Sequence, residues 1–172
     1  EKSIDIDFEV KAGSLSFAEY PACPGSQLQY FSNTTQEKEE GEPHQSQLRQ
    51  WPIQLHLLPA NAPFLQGSDM ILVADCVGYW IAGFRKDYVK GKRIARACAR
   101  LEIEQERYVQ KLVSLIEDAK INTLTVMTME VPCCTGLLGF AKSATDKASR
   151  KIPIKSVIVG INGDILSEEW LK

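Results

Sequence analysis

Residues 123–150 read TLTVMTMEVPCCTGLLGFAKSATDKASR, and they divide into three parts with different periodicities. The first seven, TLTVMTM, are apolar or β-branched on consecutive positions, as expected for a strand covered on both faces. Glu130-Val131-Pro132 is a turn, and Cys133 and Cys134 follow it. From Thr135 the spacing changes to that of a helix, with Leu138, Phe140, Ala141 and Ala144 on one side of residues 135–150. A buried strand leading through a short turn into an amphipathic helix is the unit of a parallel sheet.

Working outward, the same alternation recurs. Strand-like runs are expected at 53–58 (IQLHLL), 70–76 (MILVADC), 93–98 (RIARAC) and 155–161 (KSVIVGI). Residues 104–120 place Tyr108, Leu112, Leu115 and Ile116 on one helical face. Strands alternating with helices imply right-handed crossovers. The expected fold is therefore α/β: a mostly parallel sheet with helices on both faces, in three layers of the flavodoxin or Rossmann type. Residues 33–49 are polar, acidic and poor in apolar anchors, so they are expected to be a mobile loop, with His44 simply solvated. Residues 1–32 are read as an arm and a short Cys-containing segment packed as one domain on the α/β unit of 50–172. Cys23 lies in the turn Ala22-Cys23-Pro24-Gly25-Ser26, expected to open a short helix through Leu28 and Phe31.

Composition narrows the function classes. A chain of 172 residues that is 44% hydrophobic and 24% charged can bury a core of ordinary size. A formal net charge of -2 gives no electrostatic argument for nucleic acid or an anionic membrane surface. No apolar run reaches the roughly 18 residues that span a bilayer, and a cytoplasmic location is expected. The sequence begins at Glu1 without a signal-like apolar region, which suggests a piece of a longer polypeptide. There is no glycine-rich phosphate loop and no nucleophile elbow to support a nucleotide or hydrolase reading.

The five cysteines are the informative residues. An odd number in a chain of this kind favours metal binding or redox chemistry over a disulfide framework, the bland alternative being small buried hydrophobes. In open parallel sheets ligands bind beyond the carboxyl ends of the strands. Cys76 closes one strand-like run, Cys98 closes another, and Cys133 and Cys134 follow a third, so three strands are expected to deliver thiols to one edge. Four convergent thiolates from Cys23, Cys76, Cys98 and Cys133 would suit a soft-metal site, either zinc or a [4Fe–4S] cluster. The vicinal Cys133-Cys134 pair is expected to diverge in an extended segment, one thiol ligating while the other packs. The helix beginning at Thr135 would favour a thiolate at its amino end, which also leaves open a redox-thiol enzyme using Cys133 or Cys134. Zinc in the same position would make the domain a structural interaction module.

Four segments taken together, Cys23-Pro24-Gly25-Ser26, Trp51-Pro52-Ile53-Gln54-Leu55-His56-Leu57, Ala74-Asp75-Cys76 and Glu130-Val131-Pro132-Cys133-Cys134-Thr135-Gly136-Leu137, resemble the C-terminal domain of a family of ferredoxin-like 4Fe-4S iron–sulfur proteins from anaerobic bacteria and archaea. The resemblance runs from about Tyr20 to the end. It implies electron transfer, a [4Fe-4S] cluster on Cys23, Cys76, Cys98 and Cys133-Cys134, and a ferredoxin module or other redox protein as partner. A homo-oligomer is also compatible with it. One departure stands out: where the family pattern has Pro-Lys-Leu-Asp after the third cysteine, this chain has Ala99-Arg100-Leu101-Glu102.

Other residues near these segments have ordinary readings first. Asp75 and Glu130 are expected to cap a helix or loop, with a proton carrier or oxygen ligand as their functional reading, and His56 to be a hydrogen-bonded core histidine rather than a ligand. Tyr79 and Trp80 are expected to pack, with shielding of a cluster as their functional reading. Lys90-Gly91-Lys92-Arg93 is read as a turn into a strand, or as a docking patch for an acidic redox partner.

Overall fold

The computed structural model describes residues 29–30, 46–101 and 103–171. Two short strands, β1 (Gln29–Tyr30) and β2 (Gln50–Trp51), form an antiparallel ribbon. The main sheet contains β3 (Asp69–Ala74), β4 (Arg93–Ala97), β5 (Thr123–Met129), β6 (Ile154–Val159) and β7 (Ile165–Leu171) in the spatial order β4-β3-β5-β6-β7. β3 pairs in parallel with both β4 and β5, and β5 with β6, whereas β7 returns antiparallel to β6. Two helices, α1 (Gln105–Glu117) and α2 (Thr135–Lys147), fill the β4–β5 and β5–β6 connections.

The chain moves one way from β3 to β4, then crosses back past β3 to β5. The order of the five strands is thus that of a doubly wound sheet whose switch point lies between β3 and β5. Right-handed crossovers place α1 and α2 on one face, where they pack together, and the β3–β4 connection on the other. Burial agrees with two covered faces: Met70 through Ala74 and Leu124 through Met129 are all buried, on consecutive positions. The second face carries a 3-10 turn (Val77–Tyr79) and a single π turn (Arg85–Val89), from which Phe84, Tyr88 and Val89 reach the core.

Three expectations change. Residues 53–58 are not a strand: Gln54 makes one bridge to Arg96, and Leu55–Leu57 is a 3-10 turn. Pro52 and Pro59 bracket this segment and cannot donate to a ladder. The turn sends Leu55 and Leu58 into the core and leaves His56 exposed. His56 is thus no core residue, although its Nδ1 and the Tyr108 hydroxyl share a hydrogen bond at 3.2 Å. Second, Gln29–Tyr30 is a strand rather than part of a helix, because its backbone groups pair with Gln50–Trp51. Third, β7 extends the sheet by an edge strand. A tight turn at Gly163, whose φ is 92°, brings it back beside β6.

Candidate functional site

The carboxyl ends of β3, β4 and β5 are neighbours in the sheet, and each is followed by a cysteine. Beyond Ala74 come Asp75 and Cys76, beyond Ala97 comes Cys98, and beyond Met129 the turn Glu130-Val131-Pro132 leads to Cys133 and Cys134. β3 and β5 flank the switch point, the place where ligands bind in open parallel sheets. Val77–Tyr79 runs across the end of β5 toward the β6–β7 turn, where the Trp80 carbonyl lies against Gly163. The β5 loop instead turns directly into α2.

Cys133 and Cys134 do not diverge. Pro132–Cys134 is a 3-10 turn rather than an extended segment, closed by Cys134 N–H donating to the Val131 carbonyl at 3.0 Å. The Thr135 hydroxyl donates to the Pro132 carbonyl at 2.8 Å, and α2 starts at Thr135. The turn brings the two thiols within hydrogen-bonding reach, with Cys76 close enough for its charge to be felt. Cys133 and Cys76 are exposed, whereas Cys134 is buried at 7% exposure.

Burial pushes the Cys134 thiol above its ordinary pKa. The neighbouring Cys133 and Cys76 add to the effect, and a backbone hydrogen bond at Met129 opposes it. Cys134 is therefore held as a neutral thiol at neutral pH, which disfavours it as a nucleophile. Alkylation with iodoacetamide at pH 8, mapped by mass spectrometry, is expected to modify Cys76 and Cys133 first. Cys134 should react about tenfold slower or less, its rate still climbing above the ordinary thiol range. Equal rates for Cys133 and Cys134 would contradict this ordering.

Cys98 is half-buried, and its carbonyl accepts a hydrogen bond from Leu101 N–H at 3.1 Å. That turn closes without the proline of the family pattern. It is held instead by Ala99, which is buried against Gly136 in the first turn of α2: a Cβ at Gly136 would sit 3.0 Å from the Ala99 Cβ. The glycine thus permits close approach of the β4 loop to the amino end of α2. Asp75 and Arg96 form an ion pair at 3.2 Å, lacking the alignment of a hydrogen bond, and Asp75 N–H donates to the Ala97 carbonyl at 3.2 Å. These contacts tie the end of β3 to the end of β4. Glu130 accepts a hydrogen bond from Ile161 N–H at 2.9 Å and so fastens the β5 turn to the β6–β7 turn, a loop-capping role.

Of the five thiols singled out in the sequence, four lie at this one edge, and Cys23 lies outside the described residues. Among the described residues no three His, Cys, Asp or Glu side chains are grouped as one bound metal ion would require. A second feature of the edge is apolar: Tyr79, Trp80, Leu101, Ile103 and Ile161 are exposed around it. Tyr79 and Trp80 are not packed as expected. No helix among the described residues is long and apolar enough to cross a membrane.

Residues 62–172, well over half of the chain and including every described cysteine, match the family model for a Rossmann-like domain. An uncharacterized protein of the archaeon Archaeoglobus fulgidus is 29% identical over 120 residues, which are 69% of this chain and 83% of that protein. No solved structure matches. The chain belongs to the Rossmann-like domain family.

Proposed function

We propose that this member of the Rossmann-like domain family uses the crevice at its sheet switch point as a thiolate site for an iron–sulfur cluster, of the [4Fe-4S] type, in electron transfer. The observation that carries the reading is that Cys76, Cys98 and Cys133 each follow the carboxyl end of one of three adjacent strands. The ferredoxin-like resemblance of the four segments points the same way.

Cys76, Cys98 and Cys133 would hold the cluster, with Cys23 as fourth ligand.

A bound cluster would supply one-electron chemistry. The protein's own groups fix its setting. Cys134 stays a neutral thiol that can donate to the Cys133 sulfur, and the amino-terminal dipole of α2 would favour negative charge beside it. The partner in this reading is a ferredoxin module or another redox protein.

Anaerobic reconstitution of the chain with ferrous iron and sulfide is the direct test. Brown protein with about four iron and four acid-labile sulfide per chain supports the reading. Colourless protein with neither element overturns it, and one bound zinc with no iron would replace it by a structural zinc site.

A further inference from the structure

Adjacent cysteines in an extended chain point to opposite sides and share no ligand. Cys133 and Cys134 escape this rule because Pro132–Cys134 is a 3-10 turn that passes directly into α2, with Cys134 at its amino-terminal cap. The turn is fastened twice, by Cys134 N–H on the Val131 carbonyl and by the Thr135 hydroxyl on the Pro132 carbonyl. It leaves the two sulfurs within hydrogen-bonding reach of each other. The pair also straddles a boundary. Cys133 is exposed, whereas Cys134 belongs to the apolar core. Two sulfurs side by side, one open to solvent and one sealed, make a chelate with a single entrance.

We propose that Cys133 and Cys134 together bind one monovalent copper ion as a two-coordinate thiolate bridge. Size decides among the two-thiol chemistries. The Cα atoms of these neighbours stand about 3.8 Å apart across the trans peptide that joins them. Disulfides usually hold their Cα atoms roughly 4.4–6.8 Å apart, so a direct bond between the sulfurs would have to distort the doubly fastened turn. A bridging ion asks for less. With metal–sulfur bonds of about 2.3 Å it spans sulfurs up to about 4.6 Å apart. Coordination number then selects the ion. Zinc and iron–sulfur centres take four ligands, whereas monovalent copper is satisfied by two soft sulfurs and is favoured by thiolates. Two Cu–S bonds form, two thiol protons pass to solvent, and the copper keeps its oxidation state. The bridged unit carries one net negative charge spread over three atoms. It lies at the amino end of α2, whose dipole favours that charge. Cys76 and Cys98 lie on other loops and take no part. Cys133 is shared with the proposed cluster, so the two metals exclude each other. The copper site needs no cluster and survives the failure of that reading.

Anaerobic titration of the reduced, metal-free chain with Cu(I), in competition with a bicinchoninate chelator, tests it apart from any iron reconstitution. The expected result is one copper per chain withheld from the chelator. Cys133→Ser and Cys134→Ser should each weaken retention by at least about tenfold, whereas Cys76→Ser and Cys98→Ser leave it unchanged. Alkylation of the unsubstituted chain gives the same reading without relying on any variant to fold: one Cu(I) must shield both Cys133 and Cys134 while Cys76 and Cys98 stay reactive. No copper withheld from the chelator overturns the proposal. So does retention that a folded Cys134→Ser leaves intact, or a loss in Cys76→Ser as large as that in Cys133→Ser.

Discussion

Replacing Leu72 by alanine is expected to lower the unfolding free energy by about 3–5 kcal/mol. Leu72 sits in the middle of β3, the strand on which the doubly wound order turns, and is fully buried. Its register neighbours are Ala95 on β4 and Val126 on β5, both fully buried. Removing three buried carbons there loses their transfer free energy and leaves a cavity that a paired central strand cannot close. The loss is a large share of the roughly 5–15 kcal/mol that stabilises a domain. At this chain length it corresponds to a fall in Tm of about 6–20 °C. Urea unfolding at fixed pH reads it directly as a shift in midpoint with an unchanged slope. A loss below about 1 kcal/mol would mean that the centre of the sheet can relax into the space.

The central strands are also where sequence and structure agree best, for the same reason. β5 spans residues 123–129 as its unbroken apolar run requires, and α2 begins at Thr135 as the change of period indicates. A strand buried on both faces leaves its composition little freedom, so the signal is strong. At the sheet's margins the constraint weakens. The run at 53–58 alternates like a strand, yet only Leu55 and Leu58 are buried, because the flanking prolines leave no ladder to join. β7 is an edge strand exposed along most of its length, so no periodicity reveals it. The hairpin signal Asn162-Gly163-Asp164 after an apolar run was the available clue.

The thiol edge was legible for a topological reason: a cysteine at the end of a parallel strand has only one rim to occupy. Local geometry was not. Whether two adjacent thiols diverge depends on backbone dihedrals, and the 3-10 turn at Pro132–Cys134 reverses the extended-chain expectation. The Gly136–Ala99 contact was equally hidden, since it joins residues of two crossovers. The apolar edge at Tyr79, Trp80, Leu101, Ile103 and Ile161 lacks any motif, because single apolar residues in loops look like noise until the strands bring their loops together.

Within the proposed cluster site, the two vicinal thiols should separate sharply on substitution. Cys133→Ser is expected to reduce iron retained after anaerobic reconstitution by about tenfold or more, the scale on which lost metal-site groups act. Cys134→Ser should keep both iron and colour. The asymmetry comes from their surroundings. Cys133 is exposed at the carboxyl rim, where a metal can reach its sulfur. Cys134 is buried, its thiol raised by desolvation and engaged with Cys133, so it resists becoming a thiolate. Serine at position 134 exchanges sulfur for a more polar hydroxyl in a packed site. That should cost roughly 1–3 kcal/mol of stability, seen in thermal melts of the metal-free protein. The two readouts therefore cross: one variant loses iron with little change in Tm, the other loses Tm with little change in iron. If Cys134→Ser bleaches the reconstituted protein while Cys133→Ser does not, the ligand assignment reverses. If neither variant alters bound iron, the switch-point crevice is not where a cluster binds.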